Sequence, residues 1–318
     1  MSKKVQTDMY HTDSAVSIRG VTKTFTQWQR SNTAGNVLRN LLKPEKRTIT
    51  ALNDVSFDIK RGEFLAYAGP NGAGKSTTMK LLSGMLLPND GEIAVLSMSP
   101  QKQRRALMSR LGILFGNRTE LWWDHPVIQS FEWKKIVWDI PDDLYRKNLA
   151  MVTELLDIGD LLKTFARELS LGQRMRADLA MMLLHSPELI LLDEPTLGLD
   201  VMAKRQMIGF LKQLNAQEGT TIVVTSHDMD DLEEMARRIL LISNGKVAFD
   251  GSFAALRDEL GCTKRAIVNF SDRTRREIAY DDTNKLLREL SELDGIVDVG
   301  FTQTSLEEGL ANLFARWR

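Results

Sequence analysis

The 318-residue chain carries 42 Lys plus Arg against 42 Asp plus Glu, so its formal charge is zero, and 43% of its residues are hydrophobic. That balance belongs to an ordinary globular protein; it excludes a disordered or fibrous chain and a globally basic nucleic-acid binder, so no nucleic-acid partner is expected. A lone cysteine, Cys262, excludes an internal disulfide and a multi-cysteine metal site and makes a reducing, cytoplasmic setting the default.

The length suggests one large domain with a smaller companion. Residues 1–14 are polar and read as an N-terminal tail without a secretory apolar segment. The longest apolar run, Leu179 to Leu184, is six residues, whereas a membrane span needs roughly 20.

Lys23-Thr24-Phe25 opens the first informative stretch, and residues 27–50 form an insertion rich in Arg30, Arg39, Lys43, Lys46 and Arg47. Val37, Leu38, Leu41 and Leu42 could line one face of a short helix there, giving a basic amphipathic element; a solvated, partly ordered loop is the alternative.

Residues 64–68 read as a buried strand, and residues 77–83 as a helix. Between them, Gly69-Pro70-Asn71-Gly72-Ala73-Gly74-Lys75-Ser76-Thr77 contains the phosphate-binding pattern G-x-x-x-x-G-K-[ST]. Glycines are needed because successive backbone N–H groups must converge on phosphate oxygens in a concavity that side chains would fill. Lys75 adds a point charge for the β- and γ-phosphates, Ser76 a hydroxyl for Mg2+, and the helix N-terminus its positive dipole end.

Gly112-Ile113-Leu114-Phe115-Gly116 leads to Asn117, and Trp122-Trp123 follows in a loop, where the rings either pack within the domain or meet a partner surface. Ser170 and Gln173 form a capping box for a helix that Pro187 stops. The apolar run 189–192 is a buried parallel strand delivering Asp193 and Glu194 to the sheet edge, Asp193 suited to hold Mg2+ and Glu194 to polarise a water. Residues 220–224 form another strand, followed by Thr225-Ser226-His227-Asp228, and Asn244-Gly245 signals a hairpin turn. After Gly261, strands at 266–270 and 296–301 alternate with helices at 282–293 and 305–317. Leu306, Leu310, Leu313, Phe314 and Trp317 share one face of the last helix.

Leu169-Ser170-Leu171-Gly172-Gln173, matching L-S-x-G-Q, gives the chain a specific resemblance to the nucleotide-binding subunits of ATP-binding-cassette (ABC) transporters. The resemblance implies an α/β P-loop ATPase over residues 15–256, with an antiparallel β subdomain, a helical subdomain at about 111–187 and a small α/β appendage at 257–318. It implies ATP and Mg2+ as cofactors, and a head-to-tail dimer, homomeric or with a related ATPase subunit, in which Ser170, Gly172 and Gln173 close over the ATP of the opposite subunit. Asp200, in Leu197-Gly198-Leu199-Asp200, then lies near the dimer seam, His227 contacts the γ-phosphate, and Phe25 stacks on adenine, with Trp28 competing for that role. Asn117 stands where the family has a glutamine that reaches Mg2+ and the attacking water, one methylene shorter. The insertion, the Trp-Trp segment and residues 169–177 resemble the ABC-2 exporter branch, with its daunorubicin-type and polysaccharide exporters. A separate integral-membrane permease, peripheral attachment at the cytoplasmic membrane face and ATP-driven export follow as expectations. A soluble ABC-type ATPase acting on ribosomes or DNA is the competing class.

Overall fold

The computed structural model describes residues 13–29, 45–115, 119–261, 264–280, 282–303 and 305–316. The chain forms two units, residues 1–227 with 231–250, and residues 228–230 with 251–318.

The larger unit begins with β1 (Ser14–Gln29) and β2 (Glu45–Lys60), followed by β3 (Phe64–Ala68), α1 (Lys75–Leu82) and β4 (Asp90–Val95). Strands β2, β1 and β4 form an antiparallel three-stranded sheet. The ladder of β1 and β2 continues to Gln29 opposite Glu45, so the ends of the expected 27–50 insertion are paired strand rather than loop. The reason lies in Thr48, Ile49 and Thr50, β-branched residues that suit a pleated surface. The Val37, Leu38, Leu41 and Leu42 stripe falls outside the described residues.

After α2 (Arg104–Met108) come β5 (Leu111–Phe115), the helices α3 (Val127–Val137), α4 (Asp142–Leu155) and α5 (Leu171–Leu183), then β6 (Leu189–Asp193), α6 (Val201–Glu218), β7 (Thr221–Thr225), α7 (Met229–Met235), β8 (Arg238–Ser243) and β9 (Lys246–Ser252). The second sheet has the order β5-β6-β7-β3-β8-β9, with parallel pairing from β5 through β8. Residues 64–68 and 221–225 are buried throughout, because both faces of a parallel sheet are covered. Asn244 and Gly245 both have positive φ, 48° and 73°, as a tight two-residue turn between β8 and β9 demands.

The helical part starts later than the expected Leu111. Residues 111–115 pair with 189–193 inside the parallel sheet, their apolar run satisfying that sheet's edge rather than a helix bundle. Within the helical part, buried Asn148 of α4 donates from Nδ2 to the Leu184 carbonyl at 2.9 Å, and Arg176 of α5 donates to the Leu156 carbonyl at 2.9 Å. These bonds satisfy helix-end carbonyls that have no partner within their own helices.

The smaller unit includes α8 (Phe253–Glu259), capped by Ser252 and burying Phe253 and Leu256, so the break between units falls at 250/251 rather than after 256. Its sheet is β11-β10-β12, from β10 (Lys264–Phe270), β11 (Arg275–Tyr280) and β12 (Ile296–Gln303), with α9 (Thr283–Ser291) and α10 (Leu306–Arg316). Strand β11 was not expected from the sequence: its polar Arg275, Arg276 and Glu277 hide the alternation that buries Ile278. Ala266, Val268, Ile278 and Leu286 form this unit's own core. Leu306 and Leu310 are buried, whereas the Phe314 and Trp317 side chains lie outside what the structure describes.

Candidate functional site

Strands β3 and β6 end at the same edge of the parallel sheet, separated only by β7, so the loops after residues 68 and 193 converge there. The turn after β3 cannot be built with ordinary residues. Gly69 has φ 155°, and a Cβ there would lie 2.1 Å from the Ile242 carbonyl oxygen; Gly74 has φ 115°, and a Cβ there would lie 2.6 Å from that of Ala51. The loop is thus wedged against neighbouring backbone, which holds its N–H groups in place before any ligand arrives.

Pro70, Asn71, Gly72, Ala73, Gly74, Lys75, Ser76 and Thr77 line one cleft together with Asp193, Glu194, His227 and Ala51. Lys75 Nζ, on a side chain only 7% exposed, donates to the Gly69 carbonyl at 2.7 Å. Burial pulls its pKa below the ordinary lysine range, while Glu194 and Asp193 push it back up. Ser76 Oγ donates to Asp193 Oδ2 at 3.0 Å, which brings into direct contact two sequence motifs whose residues stand 117 positions apart.

Asp193 is held from its other side by Thr225, whose Oγ1 donates to Oδ1 at 2.6 Å. The same hydroxyl accepts the Glu194 N–H at 3.1 Å. Glu194 sits at φ 58°, a left-handed conformation that costs a non-glycine residue about 1–3 kcal/mol unless surroundings impose it. Two bonds impose it here, from its N–H to Thr225 Oγ1 and to the Thr225 carbonyl. Its carboxylate lies 3.2 Å from His227 Nε2 and accepts the His227 N–H at 3.3 Å. Burial raises the Glu194 pKa above the ordinary glutamate range, against the lowering influence of His227 and Lys75. A carboxylate of raised basicity beside a phosphate cradle is suited to take a proton from water.

Ser76 and Asp193 offer hard oxygen donors of the kind that Mg2+ takes, and the remaining coordination sites would fall to phosphate oxygens and water. Among the described residues, no group of three or more His, Cys, Asp or Glu could hold a metal ion.

Phe25, Ser170, Gly172, Gln173 and Asp200 do not line this cleft. Ser170 caps α5, accepting the Gln173 N–H at 3.3 Å while its own N–H donates to Gln173 Oε1 at 2.9 Å, so the reciprocal box is formed. Asp200 caps α6 by accepting the Ala203 N–H at 2.9 Å. Neither they nor Gly172 and Gln173 line the cleft of their own chain. Phe25 is on β1 opposite Ile49, half-buried, with Lys23 Nζ 5.2 Å from its ring centre. Asn117 lies outside the described residues, as does the Trp28 side chain.

Trp122 and Trp123 stay 39% and 49% exposed. Trp122 leans on Trp133 with ring centres 5.6 Å apart, and Arg174 of α5 lies 4.6 Å from the centre of Trp123. Both rings are therefore partly packed within the chain and partly open.

Thr225 is the functional residue that the sequence reading left without a role. Its signal was a lone threonine hydroxyl at the end of the otherwise apolar run Ile222-Val223-Val224.

Residues 52–197 match the ABC transporter family profile. An uncharacterized ABC transporter ATP-binding protein of Bacillus subtilis, YhcH, is 31% identical over 212 residues, covering 67% of each chain. The methionine import ATP-binding protein MetN of Carboxydothermus hydrogenoformans is 30% identical over 221 residues, 68% of this chain and 65% of that protein. The chain thus spans about two thirds of the length of either relative. Among solved structures, cbiO1 of Clostridium perfringens, described as part of the cbiONQ ABC transporter complex, superposes with TM-score 0.63 at 25% identity over 77% of this chain and 94% of that one. A dimeric ATP-binding cassette bound to ADP and Pi shares the fold, with TM-score 0.62 at 24% identity over 74% of this chain and 98% of that one.

Proposed function

The chain belongs to the family of ABC transporter ATP-binding proteins, and from that premise we propose that it hydrolyses ATP to drive export through a separate integral-membrane permease. The observation that carries the hydrolytic reading is the Ser76 to Asp193 contact beside the partly buried Glu194.

Backbone N–H groups of residues 71–77 bind the β- and γ-phosphates, with Lys75 as the counter-charge. Ser76 and Asp193 would hold Mg2+, and the ion would neutralise charge developing on the phosphate oxygens. Glu194 accepts a proton from the water whose oxygen bonds to the γ-phosphorus; the bond to the bridging oxygen breaks, leaving ADP and inorganic phosphate. His227 orients the Glu194 carboxylate and reaches toward the γ-phosphate. Phe25 stacks on adenine, and Asn117 supplies an amide toward the metal and water. Ser170, Gly172, Gln173 and Asp200 serve the nucleotide of a second copy or of a related ATPase subunit, which accounts for their lying outside their own chain's cleft. Closure on ATP and opening after hydrolysis pass to the permease through the exposed Trp122 and Trp123.

No helix among the described residues is long and apolar enough to cross a membrane. Export rests on the resemblance of residues 27–50, 122–123 and 169–177 to the ABC-2 branch.

Turnover of MgATP by the purified chain tests the hydrolytic reading, and failure to bind or hydrolyse it overturns that reading. Detergent co-purification with a multi-span membrane protein tests the permease, whereas recovery on ribosomes would point to the competing class. Substrate accumulating inside inverted vesicles on ATP addition supports export; efflux from them would reverse the direction.

A further inference from the structure

Glu194 and Asp200 bracket a segment of turns joining β6 to α6. Its internal bonds are two, Leu197 N–H to the Glu194 carbonyl and Leu199 N–H to the Thr196 carbonyl, each 3.2 Å. Turns alone leave such a segment free to shift as a body. What anchors it is a side chain 35 residues away: Thr196 Oγ1 donates to Asp231 Oδ2 at 3.0 Å, with Thr196 4% and Asp231 6% exposed. The same carboxylate oxygen lies 3.0 Å from Lys204 Nζ. Lys204 stands in the first turn of α6, its N–H bonded to the Asp200 carbonyl at 2.9 Å. One oxygen of Asp231 therefore ties both ends of residues 196–204.

Asp231 itself follows His227 by four residues, and His227 engages Glu194 through both its ring and its N–H. On its other side the tied segment abuts the turn holding Ser170: a methyl added to Gly172 would meet Ala203 Cβ at 3.4 Å and Leu199 Cδ2 at 3.8 Å. A buried carboxylate is a poor space-filler, because an apolar side chain of similar volume would avoid its desolvation cost.

We propose that Asp231 is a positioning residue for hydrolysis, clamping Thr196 and Lys204 so that Glu194 and Asp200 keep a fixed placement relative to His227. It acts through those two partners rather than on the nucleotide. The clamp rests on the hydrolytic reading of Glu194, and MgATP turnover by the unaltered chain, measured first, separates failure of that reading from failure of this one.

Thr196→Val keeps the shape and removes the donor, Thr196→Ser restores the donor, and Asp231→Ala removes the acceptor. The clamp requires Thr196→Val and Asp231→Ala each to lower kcat about tenfold or more while the KM for MgATP stays within about threefold, and Thr196→Ser to recover most of the rate. The double variant Thr196→Val with Asp231→Ala should be no slower than the slower single variant, since both break one contact. Lys204→Met, at a partly exposed position, provides a readout should Asp231→Ala not fold, and should also lower kcat with little change in KM. A kcat in Thr196→Val equal to that of Thr196→Ser, additive losses in the double variant, or a fall in Tm with kcat per folded molecule unchanged would each overturn the proposal.

Discussion

Glu194 Oε1 lies 3.2 Å from His227 Nε2, and the carboxylate is 14% exposed while the imidazole is 52% exposed. The pair thus faces the cleft with the base shielded and the histidine in contact with solvent, an order that keeps the base's raised proton affinity while leaving the imidazole free to meet an incoming phosphate.

Glu194→Gln keeps the side chain's size and its ability to accept the His227 N–H, yet removes the proton acceptor. ATP binding should persist within a few-fold while turnover falls by about 100-fold or more, the usual span for losing a general base. Equilibrium nucleotide binding and single-turnover kinetics on the same sample check this, and an ordinary rate in the variant would remove Glu194 from the role.

Gly69→Ala places a methyl 2.1 Å from the Ile242 carbonyl oxygen. Backbone must move to accept it, and the phosphate loop moves with that backbone. Nucleotide affinity should fall by about tenfold or more, with a stability loss of about 1–3 kcal/mol. Titration with a fluorescent ATP analogue and thermal melting read the two effects separately.

Asp178 accepts the Thr119 hydroxyl at 2.9 Å and the Glu120 N–H at 3.0 Å, and burial pushes its pKa up to about 6. A carboxyl whose folded pKa exceeds its unfolded value near 3.9 contributes stability that is fully present below about pH 4 and lost as pH rises through about 6. The contribution is on the order of 2–3 kcal/mol, since one pKa unit corresponds to about 1.4 kcal/mol. Asp178→Asn holds the same acceptor geometry without a charge. The stability of the unaltered chain relative to this variant should therefore decline between pH 4 and 6, measured by denaturant melts at several pH values. A constant difference would show that Asp178 titrates in the folded chain as it does in the unfolded one.

Ser170→Ala removes the acceptor for the Gln173 N–H and should cost about 1 kcal/mol of stability. If the turn serves a second copy's nucleotide, turnover should fall well beyond what that cost explains, while ATP binding by a single chain stays unchanged. Equal losses of binding and turnover would place Ser170 at its own chain's nucleotide instead.

Thr225→Val deletes the hydroxyl that both donates to Asp193 and accepts from Glu194. Asp193 Oδ1 loses its donor while Oδ2 keeps Ser76, and the Glu194 N–H keeps the Thr225 carbonyl, so the loss is about 1–3 kcal/mol. The strained Glu194 backbone loses one of its two restraints, so kcat should drop more than KM rises, as steady-state kinetics will show.

The parts of the fold that could be read from the sequence are those whose cause is local. Gly69 to Ser76 announces its turn because no other residues fit its backbone. Ser170 with Gln173 and Asn244 with Gly245 each carry their geometry within a few residues. Asp193 could be assigned to the same cleft as Ser76 because an apolar strand delivers its last residue to a known edge. Long-range pairings left no such trace. The Thr225 hydroxyl at the end of an apolar run does not announce its two hydrogen bonds, to Asp193 and from Glu194, and nothing near Asp231 indicates Thr196. Strand β11 went unseen because Arg275, Arg276 and Glu277 obscure its single buried position, Ile278. The ladder from Phe25 to Gln29 was missed because its partner strand lies across an insertion whose charge suggested a loop.

That ladder has a mechanical consequence. Pairing between β1 and β4 stops at Thr22 opposite Asp90, whereas pairing with β2 runs on to Gln29, a two-stranded ribbon of about 23 Å at the usual rise per residue. Thr26, Gln27 and residues 47–50 along it are exposed. A ribbon of two strands without a third is only marginally stable in water, so it opens far more readily than the sheet at its base. A protease should nick the chain here first, and the severed pieces should stay joined through the three-stranded base with the nucleotide cleft undisturbed.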